Sequence, residues 1–432
     1  MSASSCVLSS YYYLKPPALP GGHNFQIGTI YMKIMICGGD GFCGWATALH
    51  LSRLGNEILI VDNFSRRKID IELGIQSLTP ISSMTDRLSA WKEQTGNTIH
   101  FSFLDLASEY TELLLLLKEF EPDAMIHFAE QRSAPYSMKQ SSSKRYTVTN
   151  NISATHNILT AIVESGQDIH LLHLGTMGVY GYGTIGAKIP EGYLNIHFQG
   201  QGGESVREIL YPTSPGSIYH MTKCLDQQLF AYYAANDGLR ITDLHQGIVW
   251  GTQTPDTMLD ERLINRFDYD GDYGTVLNRF LMQATIGYPL TVHGTGGQTR
   301  AFIHLKDSVR CVELALGAPP RKGDKVKILN QLTETFSVKK LATLVSELTG
   351  VPVQFLPNPR KESDTNSLEA DNACFLKLGL EPTALEEGLL KEIIDISQRY
   401  IERADTSRIP CLSCWNKERE ITVTHHTGAR QA

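Results

Sequence analysis

Tyr219 and Lys223 stand four positions apart inside 217–236, a stretch with the apolar spacing of a helix. Residues at i and i+4 share one helix face, so the phenol and the ammonium lie side by side. A neighbouring cation lowers a phenol's pKa. A phenol tuned in this way can remove the proton of a hydroxyl while hydride leaves the same carbon. Tyr-x-x-x-Lys alone is a weak signal that arises by chance in many helices. Thr176 adds weight, because it follows the apolar run His170–Leu174 and its hydroxyl can orient the same substrate oxygen.

A hydride needs an acceptor, and the first apolar run, Ile34-Met35-Ile36-Cys37, leads directly into a turn built to hold one. Gly38, Gly41 and Gly44 are spaced G-x-x-G-x-x-G, with Phe42 and Cys43 inside the motif and a helical stretch following. The glycines permit a tight turn, a close approach to a pyrophosphate and close helix packing, while free N–H groups at the helix start face the anion. Asp62 ends the next apolar run, near the roughly 20-residue offset of a ribose-binding acid, and Asn63 follows it. A carboxylate there accepts from a ribose 2′-hydroxyl and repels a 2′-phosphate, which favours NAD over NADP. Arg66 and Arg67 keep the second cofactor open, since an arginine at this turn can hold that phosphate. Asp105 and Leu106, after the third strand, fall where an adenine rim would lie, and a helix cap is the plain alternative for Asp105.

The elements that must position these residues alternate. Strands are expected at 34–37, 57–61, 100–104, 124–128, 170–174 and 242–248, with helices near 42–54, 107–120, 151–165, 217–236 and 337–350. This predicts an α/β fold: a doubly wound parallel sheet, here an NAD-binding Rossmann domain, with a smaller mixed α/β substrate-binding lobe. The expected division is a leader at 1–31, the Rossmann domain at 32–250, and a lobe at 251–403 interleaved with the first domain near 299–315. A disordered tail is expected at 404–432. The loop 184–216 is long enough for a lid. The leader has no Asp or Glu and a single Lys, and two readings stay open for it: an organelle transit peptide, or residues upstream of a start at Met32. Cys411 and Cys414 form a C-x-x-C without a second ligand pair except His425 and His426, and read as incidental rather than metal-binding.

Composition narrows the partners. The chain has 432 residues, 42% hydrophobic and 20% charged, with 39 basic against 46 acidic residues and a net charge of -7. No positive field draws it to nucleic acid. The longest leucine run, Leu113 to Leu117, is far below the roughly 20 residues of a membrane span, and eight scattered cysteines do not make a disulfide scaffold. A soluble protein of a reducing compartment is expected.

The glycine turn, Asp62, the run Thr176-Met177-Gly178-Val179-Tyr180-Gly181 and Tyr219-x-x-x-Lys223 resemble the extended short-chain dehydrogenase/reductase family, whose members mostly act on nucleotide sugars with bound NAD. Three longer stretches resemble the UDP-sulfoquinovose synthase family within it: Met35 to Trp45, Tyr211 to Asp226, and Leu290 to Arg300. That resemblance implies a reaction on UDP-glucose and sulfite, with NAD oxidising C4, water leaving across C5 and C6, sulfite adding at C6, and hydride returning to C4. It also implies Thr176, Tyr219 and Lys223 as the catalytic trio, and Gly38, Gly41, Gly44, Asp62 and Arg66 as NAD contacts.

Arg300 is expected to clamp the UDP diphosphate. Gln246, Arg279 and Gln283 are expected to face the sugar or uracil, and Glu130, Gln131 and Arg132 to line the pocket. Nucleotide-sugar dehydratases typically place an Asp-Glu pair where Met177 and Gly178 stand, so the ordinary acid–base pair is missing. His220 is a candidate for C5 proton transfer or for holding sulfite, with a packing role as the alternative. No metal is expected. The family resemblance further implies a homodimer through 151–165 and 217–236, and a plastid stroma in a photosynthetic host, otherwise the cytoplasm. A UDP-sugar 4-epimerase and a non-catalytic NAD or nucleotide-sugar sensor remain alternative readings.

Overall fold

The computed structural model describes residues 31–181, 188–200, 203–360, 365–385, 395–410 and 415. The leader before Tyr31, residues 184–187 and 201–202 of the expected lid, and Cys411, Cys414, His425 and His426 lie outside the described residues.

The chain opens with β1 (Lys33–Cys37), α1 (Phe42–Arg53), β2 (Glu57–Asp62), α2 (Ser65–Leu73), α3 (Met84–Thr95), β3 (Ile99–Phe103), α4 (Tyr110–Phe120) and β4 (Ala124–His127). It continues through α5 (Ala134–Lys139), α6 (Ser141–Ser165), β5 (His170–Leu174), β6 (Tyr193–Gly200), β7 (Gly203–Leu210), α7 (Ile218–Asn236) and β8 (Arg240–Gln246). The remainder comprises β9 (Ile248–Trp250), α8 (Val276–Thr285), β10 (Leu290–His293), β11 (Gly297–His304), α9 (Leu305–Leu316), β12 (Lys327–Gln331), β13 (Glu334–Ser337), α10 (Val338–Thr349), β14 (Val353–Leu356), β15 (Thr365–Asn366) and α11 (Ala373–Lys377).

Seven strands make the central sheet in the order β12-β8-β5-β4-β1-β2-β3, and every neighbouring pair is parallel. Successive strand side chains point to opposite faces, and here both faces are apolar. Ile34, Ile36, Ile58, Ile60, Ile126 and Leu172 pack with Trp45 and Leu49 of α1, Trp91 of α3 and Val312 of α9. Met35, Cys37, Leu59, Val61, Met125 and Leu171 pack with Leu113 of α4, Ile158 of α6 and Phe230 of α7. A parallel sheet covered on both sides is the doubly wound arrangement. The chain winds outward from β1 to β3 and then returns to β4 on the other side. The switch between β1 and β4 opens a crevice at the carboxyl ends of the strands.

The smaller lobe joins β9, β11, β13 and β15 in a mixed sheet, pairs β10 with β14, and buries α8 and α10 against Trp250, Phe302 and Phe336. Three sequence expectations shift here. The chain re-enters the first domain beyond 299–315, because β12 supplies the sheet's seventh strand beside β8; this short run, some eighty residues after its neighbour, carries no helix-strand rhythm of its own. The tail expected to be disordered from 404 is ordered to Pro410: Ile409 is 1% exposed within the lobe core, and Asp405 N–H donates to the Tyr269 hydroxyl at 2.7 Å. Within the expected lid, β6 and β7 form a regular antiparallel hairpin from Tyr193↔Leu210 to Gly200↔Gly203. It docks on the edge strand's approach, with the Tyr193 hydroxyl donating to Val326 O at 2.8 Å and Lys325 paired with Glu208 at 2.5 Å.

Candidate active site

The crevice at the switch point is one continuous cavity, floored by the strand ends and roofed by the lobe. Gly38 leaves β1 with φ +84°, and a Cβ there would meet Ala129 N at 2.7 Å; a Cβ on Gly44 would meet Gly38 O at 2.2 Å. The turn is therefore packed so closely that only hydrogen fits, and α1 begins at Gly41 without a side-chain cap. Its first N–H groups face the cavity, the arrangement that receives a pyrophosphate. Gly38, Gly41, Phe42, Cys43, Gly44, Asp62, Asn63, Arg66, Asp105 and Leu106 all line this space, so the cradle fits a dinucleotide.

Two of these expectations acquire a mechanism. Asp62 accepts from the backbone N–H groups of Asp40 at 2.9 Å and Phe64 at 2.7 Å. Burial, with the nearby charge of Asp40, pushes its carboxyl up to about 6. Arg67, which left NADP open, is spent on Asp40 through a bidentate pair at 2.6 Å and also donates to Ser82 O. Arg66 is held by Asp70 and Asp268 with its guanidinium 3.6 Å over the Tyr273 ring. Asp105 lines the cavity and accepts from Asn63 at 3.0 Å and from Ala107 N–H at 3.0 Å, but it is not the cap of the following helix, whose N-cap position is Glu109.

On the other side of the crevice α7 starts at Ser217, whose hydroxyl caps His220 N–H at 3.1 Å. The helix brings Tyr219, His220 and Lys223 to the end of β5, and Thr176 shares a hydrogen bond with the Tyr219 phenol. Burial raises the phenol's pKa more than Lys223 lowers it, and Glu130 adds to the rise. The lowering expected from lysine is thus present but outweighed by burial. For Lys223, burial opposes the charge, yet Glu130, Tyr219 and Asp226 overcome it and hold the ammonium above its ordinary pKa.

Gly178 and His220 explain each other. A Cβ at Gly178 would lie 2.3 Å from His220 Cδ2, so the imidazole fills the space that a side chain at 178 would need. Burial, reinforced by Arg360 and Arg300, depresses His220 to about 3, and the ring is neutral at working pH. Although neighbours on a helix diverge by about 100°, Tyr219 and His220 both line the cavity, with ring centroids 5.2 Å apart.

At the lobe end Arg132, Gln246 and Arg300 line the cavity, and Arg132 pairs with Asp268 at 2.6 Å. Arg279 and Gln283 do not line it and are corrected. Gln283 is fully buried and clamps Thr291 of β10, donating to its hydroxyl at 2.7 Å and accepting from its N–H at 3.0 Å; Arg279 donates to the same hydroxyl. Helix α8 instead turns Thr275 and Asn278 to the cavity. The expectation named the right helix and the wrong face.

The profile of the family described as NAD dependent epimerase/dehydratase family matches residues 34–330. The chain is 43% identical over 390 residues to the chloroplastic UDP-sulfoquinovose synthase of Spinacia oleracea, covering 89% of this chain and 79% of that protein. It is 38% identical over 356 residues to UDP-sulfoquinovose synthase of Sulfolobus acidocaldarius, covering 81% and 88%. The chain belongs to the NAD-dependent epimerase/dehydratase family, in its UDP-sulfoquinovose synthase branch. A UDP-glucose 4-epimerase of Thermotoga maritima, solved with UDP-glucose, superposes with TM-score 0.64 at 20% identity over 86% of this chain and 100% of that one, which shows the shared fold.

Within this family's fold, several positions that line or brace the cavity carry no signal in the sequence. Arg360, Asp268 and Asn278 enter the cavity from lobe segments without a motif. Asn151 of α6 grips the loop after β4, accepting from Gln131 N–H at 2.8 Å and donating to Gln131 O at 3.0 Å, and also donates to Thr222 of α7 at 3.1 Å. Each is a lone polar residue in its own segment, and only contact across the fold marks it. Trp250 is fully buried and edge-on to His304 at 4.4 Å, so it packs.

Proposed function

We propose that this protein makes UDP-sulfoquinovose from UDP-glucose and sulfite. The observation that carries this reading is His220 seated against Gly178, in the place where an ordinary dehydratase would keep its acid–base pair. A UDP-sugar 4-epimerase needs no such group at C5; a dehydrating, sulfite-adding enzyme does.

NAD, when bound, takes hydride from C4 and returns it. Gly38, Gly41, Gly44 and the α1 N-terminus would hold its pyrophosphate, and Asp62 its ribose. Tyr219 takes the C4 hydroxyl proton, Thr176 orients the same oxygen, and Lys223 stabilises the phenolate. A C4 ketone acidifies the C5 hydrogen, and the neutral imidazole of His220 is in the right state to remove it and pass it to the C6 hydroxyl, which leaves as water. Bisulfite then adds through sulfur at C6 of the resulting enone, forming the carbon–sulfur bond, and its proton passes through His220 to C5 before hydride returns to C4. Arg300 and Arg360 supply positive charge beside His220, suited to the UDP diphosphate and to an incoming anion.

Support for a homodimer comes from apolar side chains exposed on the two long helices: Val148 and Val163 on α6, and Met221, Leu225 and Tyr232 on α7. No helix among the described residues is long and apolar enough to cross a membrane. In a photosynthetic host the proposed compartment is the plastid stroma, in keeping with the chloroplastic spinach relative; otherwise it is the cytoplasm.

The test is mass spectrometry of products after incubating the NAD-loaded protein with UDP-glucose and sulfite. A sulfonate in place of the C6 hydroxyl is expected. An isomer of unchanged mass would establish the epimerase instead. His220→Ala should abolish the sulfosugar while C4 oxidation stays detectable, and unchanged turnover would remove His220 from the mechanism.

A further inference from the structure

Lys223 is bound from below as well as facing the cavity. Its ammonium pairs with Glu130 Oε2 at 2.8 Å, contacts His173 Nε2 at 2.9 Å and donates to Leu174 O at 2.7 Å. Glu130, from the loop after β4, reaches back with its other oxygen to His173 Nε2 at 3.0 Å, and its side chain is 3% exposed. His173, fully buried on β5, meets Asp243 of β8 through Nδ1 at 2.8 Å. Asp243 in turn meets His245 Nε2 at 3.0 Å, and His245 Nδ1 lies 2.6 Å from the Tyr180 hydroxyl. Basic and acidic side chains alternate along a chain that crosses under three strands of the sheet. His127, Glu130 and His173 bring ligand atoms within 4.8 Å of one another, but the Lys223 ammonium already sits against this group.

We propose that Glu130 and His173 are positioning residues for the Tyr219–Lys223 couple: the buried chain Lys223, Glu130, His173, Asp243 and His245 holds the ammonium in place and sets the pH window in which Tyr219 exchanges the C4 proton. This rests on the reading of Tyr219 and Lys223 as the C4 couple, and it adds what tunes them. A buried carboxylate shared by two cations is divided between them. The more of its charge answers His173, the less compensates Lys223 and the more strongly the ammonium favours phenolate at Tyr219. Burial opposes charge on His173, yet Asp243 and Glu130 prevail and raise it to about 9, so it stays cationic at working pH. Glu130 is held well below the usual carboxylate range by Lys223 and His173, against the pull of burial.

The groups facing Lys223 come from every packed element: Tyr219 and Asp226 on α7, His127 on β4, Glu130 on the loop beyond it, His173 on β5, and Asp243 behind it on β8. Burial, with Glu130 next to it, raises Asp226 well above the usual carboxylate range, and burial depresses His127 to about 3. Glu130 lies between Lys223 and His173, and His173 between Glu130 and Asp243, so opposite charges balance locally, as burial requires.

The balance predicts shifts of opposite sign. Glu130→Gln removes a negative charge beside both members of the couple, so the Tyr219 and Lys223 limbs of the rate profile both move to lower pH, by about one unit or more. His173→Gln removes a positive charge and moves both limbs to higher pH. The measurement is reduction of bound NAD by UDP-glucose across pH in the full, NAD-loaded chain. Displacements of opposite direction support the network. Profiles that overlay the unmodified protein's, or that move together, overturn it.

If Gln at 130 prevents folding, Glu130→Asp keeps the charge and shortens the reach. Its expected signature is a roughly tenfold lower kcat with an unchanged KM and unmoved limbs, as expected for a misplaced group; a raised KM with kcat retained overturns the positioning role. Tyr219→Phe separates the two readings. If it still reduces NAD at full rate, the couple itself is misassigned; if it is inert while the Glu130 and His173 profiles do not move, only the network falls.

Discussion

Gly178 lacks a side chain, and His220 occupies the room this leaves. The pairing predicts that Gly178→Ala displaces the ring, since a Cβ 2.3 Å from its carbon cannot be accommodated without movement. Sulfosugar formation should fall by about tenfold or more, with C4 oxidation less affected, because about 1 Å of misplacement is enough for losses of this order. Product analysis and NAD reduction on the same sample check it. Asp62 offers a pH prediction at the same scale. Its carboxyl lies near 6 in the fold, above the roughly 3.9 of an unfolded aspartate. The folded state therefore holds this proton more tightly, so the group favours folding at low pH and that contribution is lost as pH rises through 6. The ribose contact needs the ionised form, so NAD affinity should be flat above about pH 7 and decline below about pH 6; titration calorimetry on NAD-free protein would show it, and a flat curve would exclude Asp62 as the ribose acceptor.

Elements place these side chains, and some elements are dispensable. The β6–β7 hairpin is exposed along β7, and among its described residues none lines the cavity. Replacing 195–208 with a short Gly-Ser turn should leave NAD reduction within about twofold, because a loop insertion of this kind costs little closure entropy. A large loss would restore the lid expected from loop length. Helix α8 shows how fine the element scale is: one residue of rotation, about 100°, separates Asn278 in the cavity from Arg279 in the core.

At the scale of the molecule, the lobe is closed by the chain's own later segments. Ile409 is buried among Tyr269, Phe280 and Leu385 in the lobe core. Ile409→Ala should cost about 2–5 kcal/mol, read as a lower midpoint in urea; a change below about 0.5 kcal/mol would show that 404–410 is not part of the cooperative fold. The exposed faces of α6 and α7 predict a dimer by light scattering, and Leu225→Glu with Tyr232→Glu should yield monomer.

Much of this was legible in the sequence. Alternating apolar runs set the strands, since side chains on a strand alternate between faces that are both buried here, and the glycine spacing marked the phosphate turn because its requirements are local. Tyr219 and Lys223 were readable for the same reason: four residues on one helix fix their proximity whatever the rest of the fold does. What only the tertiary structure decided depends on contacts between segments distant in the chain. Glu130, His173 and Asp243 lie on different strands or the loops beyond them, and their meeting under Lys223 follows from the sheet order. Arg67 turned from a candidate phosphate ligand into the partner of Asp40, and β12 joined the sheet from far downstream. Local pattern determines elements and short-range pairs, while the sign and use of a buried charge depend on which distant neighbours share its low-dielectric surroundings.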